Sequence, residues 1–141
     1  MILFFMEVKN IKEKLKCLLV KPYELPEVIE IENTLEAKQN LVGGYIECVY
    51  LPNDNNVVLI CNEEGKINGM KLNRDIGHDI IAGPFLIVGD NYENGDFKSL
   101  TEEQIIKYKE LFNEKSIKLT NKKIEDILIK KMKDRIDKEE R

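Results

Sequence analysis

At 141 residues, with 43% apolar and 34% charged side chains, the chain suits one domain with a modest core and is too apolar to stay disordered. Its net charge of −4 is unevenly spread: Lys14–Phe112 carries 10 basic against 17 acidic side chains, and residues 113–141 carry 10 against 7. An acidic body argues against non-specific nucleic-acid binding, which Lys and Arg drive by releasing counterions from phosphates, and no apolar run approaches the ~20 residues of a membrane helix.

The N-terminal MILFFM has no basic leader, long apolar stretch or small-residue cleavage site, so it does not read as a signal peptide. Met6 is an alternative start to Met1. Glu7–Lys14 is either a short leader helix or a lead-in, which sets a leader over residues 1–14. Lys16–Lys21 is a compact apolar run and predicts the first strand. Pro22–Pro26 interrupts it, and Glu27–Glu32 (EVIEIE) alternates, so the pair predicts a β-hairpin with a Pro-bounded loop.

Asn33 or Thr34 supplies a helix N-cap, and Leu35, Lys38, Leu41 and Val42 follow helical spacing. Gly43-Gly44 stops that helix, because glycine readily takes the left-handed cap conformation. This pair closes a helix before a strand, whereas a phosphate loop follows a strand and opens a helix. Tyr45–Leu51 predicts a strand with Ile46, Cys48 and Tyr50 on one face and Tyr45, Glu47, Val49 and Leu51 on the other. PNDNN turns the chain, and Val57–Cys61 returns antiparallel. Glu63–Lys66 is a turn, Ile67–Leu72 a short strand or extended segment, and Asn73–Asp79 a loop. Ile80–Val88 is the most apolar strand, with Gly83-Pro84 inside it implying an edge position or a bulge. Asp90–Asp96 is a polar turn. Thr101 caps a helix whose Gln104 completes a capping box and whose Ile105, Ile106, Tyr108, Lys109 and Phe112 give it one apolar side. From Asn113 the charge rises. Thr120 or Asn121 would cap a second helix there, which folds back on the domain, binds a partner or a second copy, or remains a solvated tail.

Together these elements predict an α+β domain over residues 15–112: an antiparallel or mixed sheet of about five strands, two packed helices, and a charged C-terminal helical extension over residues 113–141. Cys17, Cys48 and Cys61 each sit in a strand-like apolar run. Their odd number and lack of a CxxC pair read as three core thiols in a reducing cytosol. With one histidine in the chain, His78, neither a metal site nor a cofactor is expected. His78 beside Asp79 has the chemistry of a general base, but no Ser or Cys nucleophile lies near it in sequence. Arg74 is the stronger candidate, because its rigid fork of donors suits a carboxylate or phosphate. Asp75, Asp79 or Glu47 would hold it as a structural ion pair, or it would grip a small anionic ligand or partner with Asn62, Glu63 and Asn73 around it. Asn62 alternatively holds its own turn.

Four segments, VGGYIECVYL, ICNEEGKINGMKLNR, DIIAGPFLIVG and SLTEEQIIKYKELF, resemble a small uncharacterised family known only as a domain of unknown function. That family occurs in phages, plasmids and integrated elements of low-GC Gram-positive bacteria. The resemblance spans about Leu18–Phe112. The positions that match its motifs are Gly43, Gly44, Gly65 and Gly83, read here as structural glycines, and Glu47, Asn62, Glu63, Asn73, Arg74 and Asp79, read here as candidate ligand- or partner-binding positions. His78 falls in a segment of variable length in the family, and the tail after Phe112 lies outside the resemblance. No biochemical activity is implied. The expectation is a mobile-element protein that binds an unidentified protein partner to modulate defence, transfer or replication. The alternative is a small-molecule or nucleotide-binding module, or a minor enzyme, that uses the Asn73-Arg74 loop.

Overall fold

The computed structural model describes residues 13–91 and 96–139. Within them lie β1 (Lys14–Val20), β2 (Glu27–Glu32), α1 (Leu35–Val42), β3 (Ile46–Leu51), β4 (Asp54–Asn62), β5 (Leu72–Asp75), β6 (Ile80–Ala82), β7 (Phe85–Asn91), β8 (Asp96–Lys98), α2 (Glu102–Leu111) and α3 (Glu114–Glu139). The fold is α+β. The main sheet runs β2-β1-β7-β4-β3, wholly antiparallel, with β8 paired alongside the end of β7, while β5 and β6 form a separate two-stranded sheet. The expected leader lies outside the described residues except for its last two.

The most apolar strand takes the centre. β7 pairs with both β1 and β4, and Phe85–Val88 are fully buried because side chains of both parities meet a covered face. On one face Leu18, Val20, Leu59, Phe85 and Ile87 pack under Ile105 and Tyr108 of α2 and its C-cap Phe112. On the other Cys17, Leu19, Ile60, Leu86 and Val88 meet Val42 of α1. Burying the three side chains of α2 and its cap contributes about 2 kcal/mol each. Phe112 meets Phe85 edge to face at 5.5 Å. The capping box of α2 is formed as its sequence predicts, with Thr101 and Gln104 each closing on the other's backbone N–H.

Three segments differ from the expectation. Ile80–Val88 is not one strand. Gly83 takes φ +82° and donates its N–H to Lys71 O at 2.8 Å, so β6 and β7 belong to different sheets. Pro84 precedes β7, so its missing N–H falls outside the ladder and the strand can occupy the sheet centre. Ile67–Leu72 is mostly a turn, and the expected loop begins as β5, which places Asn73 and Arg74 on a strand. Finally, α3 starts before Thr120. Asn113 caps it by accepting from the Ser116 N–H at 3.1 Å. Thr120 is buried inside the helix, where its hydroxyl accepts the Asp75 N–H at 3.2 Å.

The start of α3 therefore does fold back, against β5. Ser116, Thr120 and Lys123 make its side-chain contacts with β5. Beyond them Ile127, Leu128, Ile129, Met132 and Ile136 are exposed. The helix has 26 residues and so runs about 39 Å.

Candidate functional site

The six candidate binding residues separate into two groups. Asn73 and Arg74 lie inside the body, and Arg74 is fully buried. No carboxylate bonds to the guanidinium. Nε donates to Ser116 Oγ (3.0 Å), one terminal nitrogen to Asn73 Oδ1 (2.8 Å) and Lys21 O (3.5 Å), and the other to Glu24 O (2.5 Å) and Phe112 O (3.2 Å). All five N–H groups of the fork are thereby occupied by neutral acceptors. Asn73 donates in turn to Val20 O and Gly83 O, both at 2.9 Å. Burial without an anionic partner pulls the Arg74 pKa below its ordinary value.

This knot ties five parts of the chain: the end of β1, the β1–β2 loop, β5, the end of α2 and the start of α3. The loop adopts an unfavourable backbone to reach it. Tyr23 sits at φ +66° inside the turn closed by Glu24 N–H to Lys21 O, and both of those carbonyl residues accept from Arg74. A bulky side chain in the left-handed region is strained, and the two bonds to a cation offset that strain. The expected ion pair with Asp75, Asp79 or Glu47 is absent. Asp75 instead pairs with Lys123 at 2.7 Å, and that hydrogen bond holds its carboxyl below the usual range.

The other four candidates meet. Glu47, Asn62, Glu63 and Asp79 line one open cleft of about 250 Å³, with Val49, Ile67, Ile81 and Ala82 as apolar wall. Asn62 is the buried structural member. Its amide donates to Val42 O at the end of α1 (3.1 Å), and its oxygen accepts the Glu64 N–H (2.8 Å), so it does hold its turn. Glu47 and Glu63 are exposed on the rim. Asp79 pairs with Lys66, and the hydrogen bond from that ammonium lowers its pKa. Burial, then the charges of Glu47 and Asp79, push the Cys61 thiol up to about 11.

Of the four glycines, Gly65 lies in this wall. Gly43 ends α1 at φ +82°, which L side chains rarely adopt. A Cβ on Gly65 would lie 2.7 Å from Ala82 O, so this turn can approach β6 only as glycine. Gly44 packs against the Asn62 amide, and Gly83 makes the β6–β7 corner described above.

Ile67 and Lys66 complete the cleft and were not among the expected residues. Ile67 is 85% exposed, an isoleucine inside a turn of Glu, Gly, Lys and Asn. An apolar side chain with no strand or helix to bury it was the available signal. His78 is exposed and makes no hydrogen bond to Asp79, whose carboxylate serves Lys66 and the Ile80 N–H. Cys17 and Cys61 are buried, but Cys48, on the edge strand β3, is exposed. Among the described residues no group of His, Cys, Asp and Glu is arranged to hold a metal, and no helix is long and apolar enough to cross a membrane.

A family model matches residues 15–113, from the start of β1 to the cap of α3. The chain belongs to the family described as a domain of unknown function, DUF3846. No curated protein and no solved structure gives a match.

Proposed function

We propose that this protein acts by protein–protein interaction, and that the acidic cleft beside β3 is its contact surface. The observation that supports this most is the make-up of the cleft, where Glu47, Glu63 and Asp79 surround an apolar wall that ends in the protruding Ile67. Neither Glu47 nor Glu63 has an ion-pair partner among the described residues. Exposed apolar side chains rimmed by uncompensated charge mark a surface suited to a partner of opposite charge. The mobile-element setting implied by the motifs would make that partner a host or element protein of defence, transfer or replication. We place the protein in the cytosol, where thiols such as Cys17, Cys48 and Cys61 stay reduced.

The alternative of a small anion held by Arg74 gains no support, since every donor of that side chain is occupied inside the body. The test compares proteins captured from host lysate by the wild type and by a Glu47→Lys, Glu63→Lys variant of unchanged circular dichroism. A protein held by the wild type and released by the variant supports the reading. Identical captures refute the cleft as the interface.

A further inference from the structure

The interaction reading leaves open what kind of partner the cleft would take, and the inference here rests on that reading. β3 is an edge strand, and no described strand lies beyond it. Tyr45 O accepts the Glu63 N–H at 2.9 Å, and Glu47 and Val49 stand opposite Cys61 and Leu59. In an antiparallel ladder inward and outward groups alternate along the strand. Tyr45, Glu47 and Val49 therefore direct their backbone groups at β4, and Ile46 and Cys48 direct theirs outward. The side chains of Glu47 and Val49, on the face toward β6, form one wall of the cleft.

The opposite edge differs. On β2, Glu30 and Glu32 stand opposite Lys16 and Lys14 of β1, so two of its three acids face compensating charge. On β3, Glu47 faces Cys61, whose thiol is held neutral, and Glu63 faces Tyr45. On the cleft side of this edge the cation among the described residues is Lys66, which Asp79 already engages.

We infer that β3 accepts an extended segment of a partner as an added strand, and that this segment carries Lys or Arg at alternate positions. Its backbone pairs with the outward N–H and C=O groups of Ile46 and Cys48. Its basic side chains enter the cleft, which has room for one or two of them. There the methylene stems lie on Val49, Ile67 and Ile81, and the cationic heads reach Glu47 and Glu63. Alternate spacing follows from the pleat, which sends every second side chain to the cleft face.

The test uses a short acetylated peptide of alternating Lys and Val, its Glu–Val counterpart, and amide hydrogen exchange of the full chain followed by NMR. The Lys peptide should bind at least about tenfold more tightly than the Glu peptide at low salt, and lose that advantage as salt screens the charges. On binding, the Ile46 and Cys48 amides should slow, while those of Glu47 and Val49, already in the ladder, stay as they were. Glu47→Gln with Glu63→Gln should weaken binding without altering the free protein's exchange pattern. Binding of the Lys peptide with unchanged Ile46 and Cys48 exchange overturns strand addition but leaves the acidic-surface reading standing. Protection at β2 instead of β3 overturns the assignment of the edge. Equal binding of the two peptides overturns recognition of a basic segment.

Discussion

Replacing Arg74 by Ala removes all five hydrogen bonds of the buried guanidinium at once. The acceptors it abandons are not equivalent. Lys21 O and Glu24 O lie in an exposed loop and recover water. Asn73 Oδ1 and Phe112 O lie in buried residues. A buried polar atom left unpaired costs about 1–3 kcal/mol, which gives about 2–6 kcal/mol for those two. The cavity left by a fully buried long side chain adds to this. Against a total stability of about 5–15 kcal/mol for a domain of this size, the variant should lose a third or more. In urea, with a slope of about 1–3 kcal/mol per M, the unfolding midpoint should fall by about 2 M.

Arg74→Lys is the informative companion. It keeps the charge but replaces the fork with one ammonium, which cannot span Ser116, Asn73 and Phe112 together. It should recover less than half of the loss. Because no carboxylate pairs with Arg74, the loss should also be nearly independent of salt. A midpoint shift below about 0.5 M for Arg74→Ala, with the native fold intact by NMR, would refute the knot as a determinant of stability.

The cysteines give a test by reactivity. A disulfide reagent at neutral pH should modify one thiol per native chain quickly, Cys48, because Cys17 and Cys61 are buried with pKa values pushed up to about 12 and about 11. Fast modification of all three would contradict the burial. At Asp54 burial opposes ionisation, but hydrogen bonds from Tyr108, the Asn56 N–H and Lys107 outweigh it and lower the pKa. A carboxylate whose folded pKa lies below its unfolded value stabilises the fold above about pH 4 and loses that contribution as pH falls through the folded pKa. Asp54→Asn should therefore flatten the acid limb of the stability curve, and an unchanged limb would contradict it. The described side-chain anchors of α3 on the body lie at Ser116, Thr120 and Lys123, so a chain ending at Lys123 should keep its unfolding free energy within about 1 kcal/mol of the full chain. Global unfolding of that chain would show that residues 124–141 are part of the core.

Local patterns were legible where a single periodicity decided the outcome. The α2 cap follows from Thr101 and Gln104, the stop of α1 from Gly43, and the first hairpin from two prolines flanked by apolar and alternating runs. The central place of Phe85–Val88 was not legible, because Gly83-Pro84 pointed to an edge or a bulge, whereas Pro84 falls just before the strand and leaves its ladder intact. Partners far apart in sequence were not legible. Nothing near Arg74 announces that its acceptors are carbonyls from Lys21, Glu24 and Phe112, so a nearby carboxylate was the natural expectation. Lys38 is a similar case. Helical spacing shows only that it shares a face with Leu41 and Val42, whereas in the fold it is buried, bonded to Asn33 and Thr34 and set 4.8 Å from the Phe97 ring. Thr120 looked like a cap because threonine prefers that position, but a contact with β5, 45 residues earlier, places it mid-helix.

The two groups of candidate residues are nonetheless mechanically linked. β5 carries Asn73 and Arg74, and β6, its one partner strand among the described residues, carries Ile80, Ile81 and Ala82 of the cleft wall. The main sheet supplies the opposite wall through Glu47 and Val49. The width of the cleft is thus the separation of two sheets, and the Arg74–Asn73 knot fixes it by bonding β5 to the ends of β1 and α2. A side chain that touches no partner can in this way set the geometry of a contact surface on the far strand of its hairpin. Loss of binding in an Arg74 variant would therefore not place Arg74 in the interface. Glu47→Gln, on the opposite wall and outside the knot, separates the two causes, because it alters the surface while leaving the unfolding midpoint where it was.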